Sequence, residues 1–403
     1  MAEVDSHDSR SPWQGNVQDP HSLTAEPITP TVTEIKEYGG WLELSRSALH
    51  HNLAGVRRLV EPAQIMAVVK ANAYGAGATG MARVLQDGGV TRFAVATVDE
   101  AVALREAGIG GDILCLTYFD RSDAEAIRHH DLTFTVFSEG GVSTLAAIAR
   151  ETGGRLRVWV KVDTGLSRLG VPIEEAVAFV DGILRDTPLD ITGIYSTLTE
   201  DRDRDRQQLA RLLALRQQLP PAFDAAWSLA SSHGILTMPE SSLDVVRPGV
   251  MLLGFPPSER SRMDADRVAR ADLRSVATWK TRISGVKTVA AGEHVGYGQR
   301  FPLAGDTRVA SLMAGWSDGY SGSPEGQSCV LVSGRRCSVL ALSANTTLVD
   351  VTAIDSARAG DEAVLLGRQS NVEIDLEELA RAGGGVYRML AGIPARVPRI
   401  WTW

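Results

Sequence analysis

From Trp41 onward the chain alternates between short runs of Val, Ile, Leu and Ala and longer stretches with the three-to-four-residue apolar period of a helix. The short runs are Ile65–Ala71, Phe93–Val98, Ile113–Thr117, Thr133–Phe137, Leu156–Val162, Ile191–Ser196, Ala226–Ala230 and Val245 to about Gly249. Their apolar character is nearly continuous, as expected of strands buried on both faces of a parallel sheet. Eight such units predict a closed (β/α)8 barrel of the TIM type, with its chemistry at the C-terminal ends of the strands. Intervening helices are expected at Asp99–Ala107 and at Asp201–Gln218, where the DRDRDR run of 201–206 reads as a solvated loop and helix start.

Beyond about Asp272 the pattern changes to β-like segments such as Thr278–Ala290, Arg308–Met313, Val330–Val332 and Glu362–Leu366, separated by Gly-rich turns. The expected organisation is therefore an α/β barrel over 41–271 followed by a mostly β domain over 272–403. Residues 1–40 are rich in Ser, Pro, Asp, Thr and Glu and read as a disordered extension.

Composition narrows the function classes. Of 403 residues, 41 are Lys or Arg and 49 are Asp or Glu, a net charge of −8 that argues against a nucleic-acid or anionic-membrane partner. No apolar run approaches the roughly 20 residues needed to span a bilayer, and the start of the chain has no basic region followed by an apolar stretch. Cys115, Cys329 and Cys337 form neither a disulfide framework nor a zinc-like spacing. A reducing cytoplasm is the expected compartment, and no metal site is expected.

Several residues carry potential chemistry. Lys70 ends the run IMAVVK at a barrel mouth, where desolvation favours the neutral amine that forms Schiff bases; a strand-end lysine reaching for water is the bland alternative. Ser231-Ser232-His233-Gly234 and Arg247-Pro248-Gly249-Val250 follow the seventh and eighth strands, where barrels build phosphate sites, although a helix N-cap and a turn with a surface ion pair explain them equally well. In KVDTGLSRLG, Arg168 suits a carboxylate, or else forms an ion-pair network with Lys161 and Asp163. Tyr297, between two glycines in VGYG, is either an acid–base phenol or a packed turn tyrosine.

Five segments in one order, AVVKANAYG, KVDTGLSRLG, RPGVMLLG, VGYG and RVPRIW, resemble the alanine racemase family over about Trp41 to Trp403. The resemblance implies pyridoxal 5′-phosphate as cofactor, held covalently by Lys70, with Lys70 and Tyr297 as the two bases at the amino-acid α-carbon. Tyr297 would come from a partner subunit, giving a homodimer with composite active sites. Tyr74, Ser232, Gly249, Val250 and Tyr387 match the family's phosphate-binding positions, Arg247 the arginine at the pyridine nitrogen, and Arg168 the arginine near the substrate carboxylate. Lys161 matches a lysine that is carbamylated in many members.

Departures from the family's pattern cluster in the same segments. Thr197 stands where a histidine normally stacks on the cofactor, Ala76 where a histidine follows the lysine motif, Ser231 for an asparagine, Leu253 and Trp316 for tyrosines, and Ala344-Asn345 for a Met-Asp pair lining the substrate pocket. The expected activity is thus an L/D amino-acid racemase acting on alanine or a larger amino acid. The alternatives are altered pyridoxal-phosphate chemistry, such as decarboxylation or aldol cleavage, and a non-catalytic cofactor-binding protein.

Overall fold

A computed structural model describes residues 39–257, 264–298, 302–323, 328–383 and 390–403, the side chains of 381–383 excepted. Its strands, in chain order, begin with β1 (Gly40–Ser45), β2 (Gln64–Val68), β3 (Arg92–Val95), β4 (Asp112–Cys115) and β5 (Thr133–Val136). They continue with β6 (Leu156–Asp163), the short β7 (Val171–Pro172), β8 (Leu189–Tyr195), β9 (Ala226–Ser228) and β10 (Val245–Val246).

Strands β2, β3, β4, β5, β6, β8, β9 and β10 form the parallel sheet, in the order β10-β2-β3-β4-β5-β6-β8-β9. It closes through a parallel bridge between Ser231 and Arg247, with Arg247 N donating to Ala230 O at 2.9 Å. Closure removes both edges, so every strand finds two backbone partners. The interior is filled by Met66, Val68, Ala94, Leu114, Trp159, Tyr195 and Val245, one or two side chains from most strands. A second, larger core lies between the strands and the surrounding helices.

All the barrel strands but β6, which reaches Asp163, end short of the C-terminal limit of their apolar runs. The Ile65–Ala71 run leaves the sheet after Val68, because Ala71 to Tyr74 turn left-handed. The Phe93–Val98 run stops at Val95, because the Thr97 hydroxyl caps the helix Val98–Glu106 by accepting from Glu100 N at 3.3 Å. Asp201 caps the helix Arg202–Gln218 in the same way, accepting from Arg204 N at 3.0 Å. The DRDRDR run differs from expectation at Asp205, which is only 2% exposed and is held by Thr199 and His233.

The second sheet contains β11 (Ala277–Val289), β12 (Thr307–Leu312), β13 (Cys329–Val332), β14 (Arg335–Leu342), β15 (Thr347–Asp350), β16 (Glu362–Gln369), β17 (Val372–Ile374) and β18 (Arg399–Thr402), together with β1. Long β11 pairs with β16 through its first half and β12 through its second, so the ring β11-β16-β13-β14-β15-β12 returns on itself. Burial alternates along Ala277, Trp279, Thr281 and Ile283, the period of a strand with one packed face. Strand β1 pairs antiparallel with β11 and parallel with β18, so both ends of the described chain are tied into this sheet.

Gly193 tests the packing of the barrel interior. A Cβ there would fall 2.3 Å from the Trp159 ring, whose side chain is fully buried. Gly193→Ala should therefore destabilise the protein by about 1–3 kcal/mol, read as a lower urea midpoint at unchanged slope. An unchanged midpoint would mean that the ring has room to move.

Candidate active site

Most candidate positions of the barrel half lie past the C-terminal end of a strand. Lys70 follows β2, Arg168 follows β6, Thr197 follows β8, Ser232 follows β9, and Arg247, Gly249 and Val250 follow β10. Lys161 sits within β6 two residues beyond Trp159, so both point into the barrel.

Tyr195, the last residue of β8, forms the floor. It is buried, and its hydroxyl shares a 3.1 Å hydrogen bond with Thr135 Oγ1. Lys161 Nζ lies 4.7 Å and Arg247 Cζ 4.8 Å from the centre of its ring, so the aromatic face takes up charge that no carboxylate neutralises directly. Arg247 is fixed by donating to Ser196 O at 2.6 Å, to Leu229 O at 3.4 Å and to Ser228 Oγ. It is a buried guanidinium held by strand ends, in place of the surface ion pair weighed from sequence. Burial pulls its pKa down to about 10, so it remains charged at neutral pH.

Cations crowd this mouth. Lys70 is held below the ordinary lysine range by burial first and then by the charges of Arg168 and Arg247, with Glu100 acting in the opposite sense. Lys161 is lowered to about 7 by burial, reinforced by Arg247, Arg168 and Lys70. Lys161 Nζ donates to Thr197 Oγ1 at 3.3 Å. Asp163 does not pair with Arg168. Its Oδ1 accepts from the N–H groups of Gly165, Leu166 and Ser167 at 2.9, 3.0 and 3.1 Å, shaping the loop that carries Arg168. Arg168 itself is exposed, with no carboxylate partner among the described residues.

The loops after β9 and β10 make a cradle. Ser232 Oγ accepts from Gly249 N at 3.0 Å, so this hydroxyl is not the helix cap that sequence also allowed; Ser231 occupies that position. A Cβ on Gly249 would lie 2.3 Å from the Tyr74 hydroxyl, so only glycine leaves this space open. Tyr74 is half-buried, and desolvation raises its phenol to about 12 and keeps it a neutral donor. Hydroxyls of Tyr74 and Ser232, the Gly249 backbone and a surplus of positive charge suit a phosphate, and a lysine with a lowered pKa suits an aldehyde. The donor set therefore fits pyridoxal phosphate: Lys70 could meet its carbonyl end, and Ser232, Tyr74 and Gly249 could hold its phosphate.

The turn that carries Lys70 is strained. Ala71, Asn72, Ala73 and Tyr74 have φ of 52, 53, 52 and 53°, in the left-handed region that costs roughly 1–2 kcal/mol per non-glycine residue. Its far end is clamped from the β domain: Arg399, in the C-terminal RVPRIW segment, donates to Gly75 O through Nε at 3.0 Å and Nη2 at 2.8 Å. Gly75 has φ +89°, and a Cβ there would lie 1.9 Å from Leu390 O. Two motifs more than 300 residues apart are thus one contact.

The remaining predicted positions gather elsewhere, on one edge of the β domain. Trp316 N donates to Ser343 O at 3.0 Å and Ser317 N to Ala344 O at 2.9 Å, while Asn345 Nδ2 donates to Ser317 Oγ at 2.8 Å. Gly296, before Tyr297, lies against Ala341: a Cβ on it would approach the Ala341 Cβ to 2.3 Å. Tyr297 is 91% and Trp316 62% exposed, so a single chain does not press Tyr297 against Lys70. Tyr387 lies outside the described residues.

Sequence reading missed Tyr195 and the polar group behind Thr197. Gln208 Nε2 donates to Thr197 O at 2.9 Å and Thr164 Oγ1 at 3.1 Å, and the Thr164 and Ser196 hydroxyls lie 2.7 Å apart. His233 Nε2 faces Asp205 at 3.5 Å. The inward period of Trp159 and Lys161, carried to the neighbouring strand, was a usable signal for Tyr195. Nothing local marked Asp205 as buried.

The chain matches two family models, described as "Alanine racemase, N-terminal domain" over residues 44–257 and "Alanine racemase, C-terminal domain" over 276–401. Among curated proteins it is 36% identical to the alanine racemase of Desulforamulus reducens, covering 90% of this chain and 98% of that one. It is 34% identical to that of Carboxydothermus hydrogenoformans, covering 90% and 99%. Among solved structures it resembles an alanine racemase from D-cycloserine-producing Streptomyces lavendulae, with TM-score 0.83 and 30% identity over 91% of this chain and 97% of that one. It also resembles the alanine racemase from E. faecalis, with TM-score 0.82 and 27% identity over 91% and 99%.

The charge crowding gives a direct test, because the chain holds only five lysines: Lys36, Lys70, Lys161, Lys280 and Lys287. In cofactor-free protein labelled at lysine Cε, the Lys161 resonance should titrate near pH 7, far below its ordinary 10.5, and Arg168→Ala should move its midpoint upward. Because this pKa falls on folding, the unfolded chain holds a proton that the fold lacks between these two values. The Lys161 contribution to stability therefore rises with pH across that window and is least favourable below about 7. A midpoint near 10.5 would contradict the account.

Proposed function

The chain belongs to the alanine racemase family, whose members are pyridoxal-phosphate-dependent isomerases, and from that premise we propose that Lys70 and Tyr297 are the two bases of its racemase reaction. The observation that carries the reading is the convergence of Lys70, Arg247, Ser232, Tyr74 and Gly249 at one barrel mouth. Pyridoxal phosphate supplies an electrophilic carbonyl and a conjugated ring that withdraws electrons from the substrate α-carbon.

The residues divide the remaining work. Burial and neighbouring cations leave the Lys70 amine ready to lose its proton, so it can act as nucleophile and then take or return a proton at the substrate α-carbon. Ser232, Tyr74 and Gly249, with Val250 beside them, hold the phosphate end. Arg247, pinned by Ser196, Ser228 and Leu229, presents a charged donor that cannot accept a proton at neutral pH. Placed at the ring nitrogen of the cofactor, Arg247 would supply a donor with no proton-accepting capacity, which would favour prompt return of the α-proton over side reactions. Arg168 would meet the substrate carboxylate, and Thr197 would stand beside the cofactor ring.

Tyr297 serves the opposite face from a second copy of the chain. Its exposure, shared with Trp316 on the same edge of the β domain, supports a homodimer in which each site draws Tyr297, Trp316, Ala344 and Asn345 from the partner. Alanine is the proposed substrate, supported by relatives named alanine racemase at 30–36% identity over about 90% of the chain.

Incubating the cofactor-loaded protein with single L- or D-amino acids in deuterated water tests substrate and reaction together. Inverted, α-deuterated alanine is expected; inversion confined to a bulkier amino acid would move the assignment to that substrate, and deuterium uptake without inversion would overturn the two-base scheme. Lys70→Ala should abolish the visible absorbance of bound cofactor. Tyr297→Phe should keep that absorbance while kcat/KM falls by about 10²–10⁴-fold, most severely from one enantiomer.

Mixing the inactive Lys70→Ala and the impaired Tyr297→Phe variants tests composite sites. Random re-pairing should restore roughly a quarter of wild-type sites, because each mixed dimer retains one site with both bases. No restored activity would place both bases in one chain.

A further inference from the structure

The strained turn that carries Lys70 needs a restraint on the side away from Arg399, and one side chain supplies it. Glu100, in the first turn of the helix Val98–Glu106, accepts from Asn72 N at 3.2 Å through Oε1 and from Ala96 N at 2.7 Å through Oε2. One carboxylate therefore bridges the end of the β3 run to the second residue of the left-handed turn. Asn72 then passes the restraint on, its Oδ1 accepting from Ala78 N at 2.9 Å. Glu100 also stands opposite the other charges around Lys70, which are Arg168, Arg247 and Lys161 and are all cationic.

We infer that Glu100 is a positioning residue for Lys70, locking the left-handed turn so that the Lys70 amine and the Tyr74 hydroxyl are aimed together at the cofactor. The inference rests on the reading of Lys70 as the cofactor lysine. The turn costs energy in four successive residues, and a turn left to relax would swing the amine away from the hydroxyl four positions on. Glu100 has a second effect through charge: among the described residues it is the anion that raises the pKa of Lys70. Removing its charge therefore makes the neutral amine available at lower pH.

The test follows capture of pyridoxal phosphate by cofactor-free protein through its visible absorbance, as a function of pH. In Glu100→Gln, one acceptor and the negative charge are lost; capture at saturating pH should slow at least several-fold, while the acid limb of the profile moves about one pH unit downward. Adding Ala71→Gly, at an exposed position where glycine adopts positive φ freely, should recover much of the capture rate without returning the acid limb. Thr97→Ala weakens the start of the same helix without touching the turn, and should lower thermal stability with no shift of the limb.

If Glu100→Gln matches the wild type in rate and limb, or if Thr97→Ala shifts the limb equally, Glu100 merely starts a helix and the inference falls. If Glu100→Gln does not fold, Ala71→Gly alone decides: on this inference it slows capture less than twofold, whereas a large loss would overturn it. Failure of the wild type to capture the cofactor would instead overturn the reading of Lys70.

Discussion

Four cationic side chains, Lys70, Lys161, Arg168 and Arg247, share the mouth of one barrel, and much of the local structure exists to hold them there. The obvious neutralising group, Asp163, is spent on the backbone of its own loop. Charge is instead spread over the Tyr195 ring and over carbonyl and hydroxyl oxygens at the ends of β8 and β9. Such a site is short of anions among the described residues, which suits a phosphate-bearing cofactor. Burial, reinforced by the same repulsion, lowers the pKa of both lysines.

Holding reactive groups in that field requires rigidity, and the rigidity comes from outside the barrel as well as within. The interior ring of side chains fixes the strands, but the lysine turn lies beyond them and is gripped by Arg399 from the C-terminal strand. Strands β1 and β18 lie side by side and bind the barrel to the β domain through β11. The β domain therefore does two separate things. It braces the lysine turn of its own chain, and it presents the edge bearing Tyr297 and Trp316 outward.

The departures from the family's pattern acquire a physical setting in the folded chain. Thr197, standing where a histidine is usual, accepts a hydrogen bond from Lys161 and is held from behind through its carbonyl by Gln208. Asn345 reaches Ser317 at its own edge, while Arg396 donates to both Ser317 and Asp318. The residues that define this edge are thus held in place by one another within a single chain.

The eight strand–helix units, the β-rich second half and the positions of Lys70, Arg168, Ser232 and Arg247 at strand ends were legible in the sequence. Period and strand-end position are local properties, written in residues a few places apart. Also legible, from the order of five motifs, was the family and with it the cofactor. The pairing of β1 with β18, the grip of Arg399 on Gly75, the burial of Asp205 beneath His233 and the floor made by Tyr195 were decided only by the tertiary structure. Each joins residues whose local surroundings say nothing of the other: Arg399 reads as one more strand arginine, and Asp205 as one charge in a solvated run. The left-handed course of Ala71 to Tyr74 belongs to the same class. Ala, Asn, Ala and Tyr do not favour that conformation, and only contacts made by distant parts of the folded chain offset its cost.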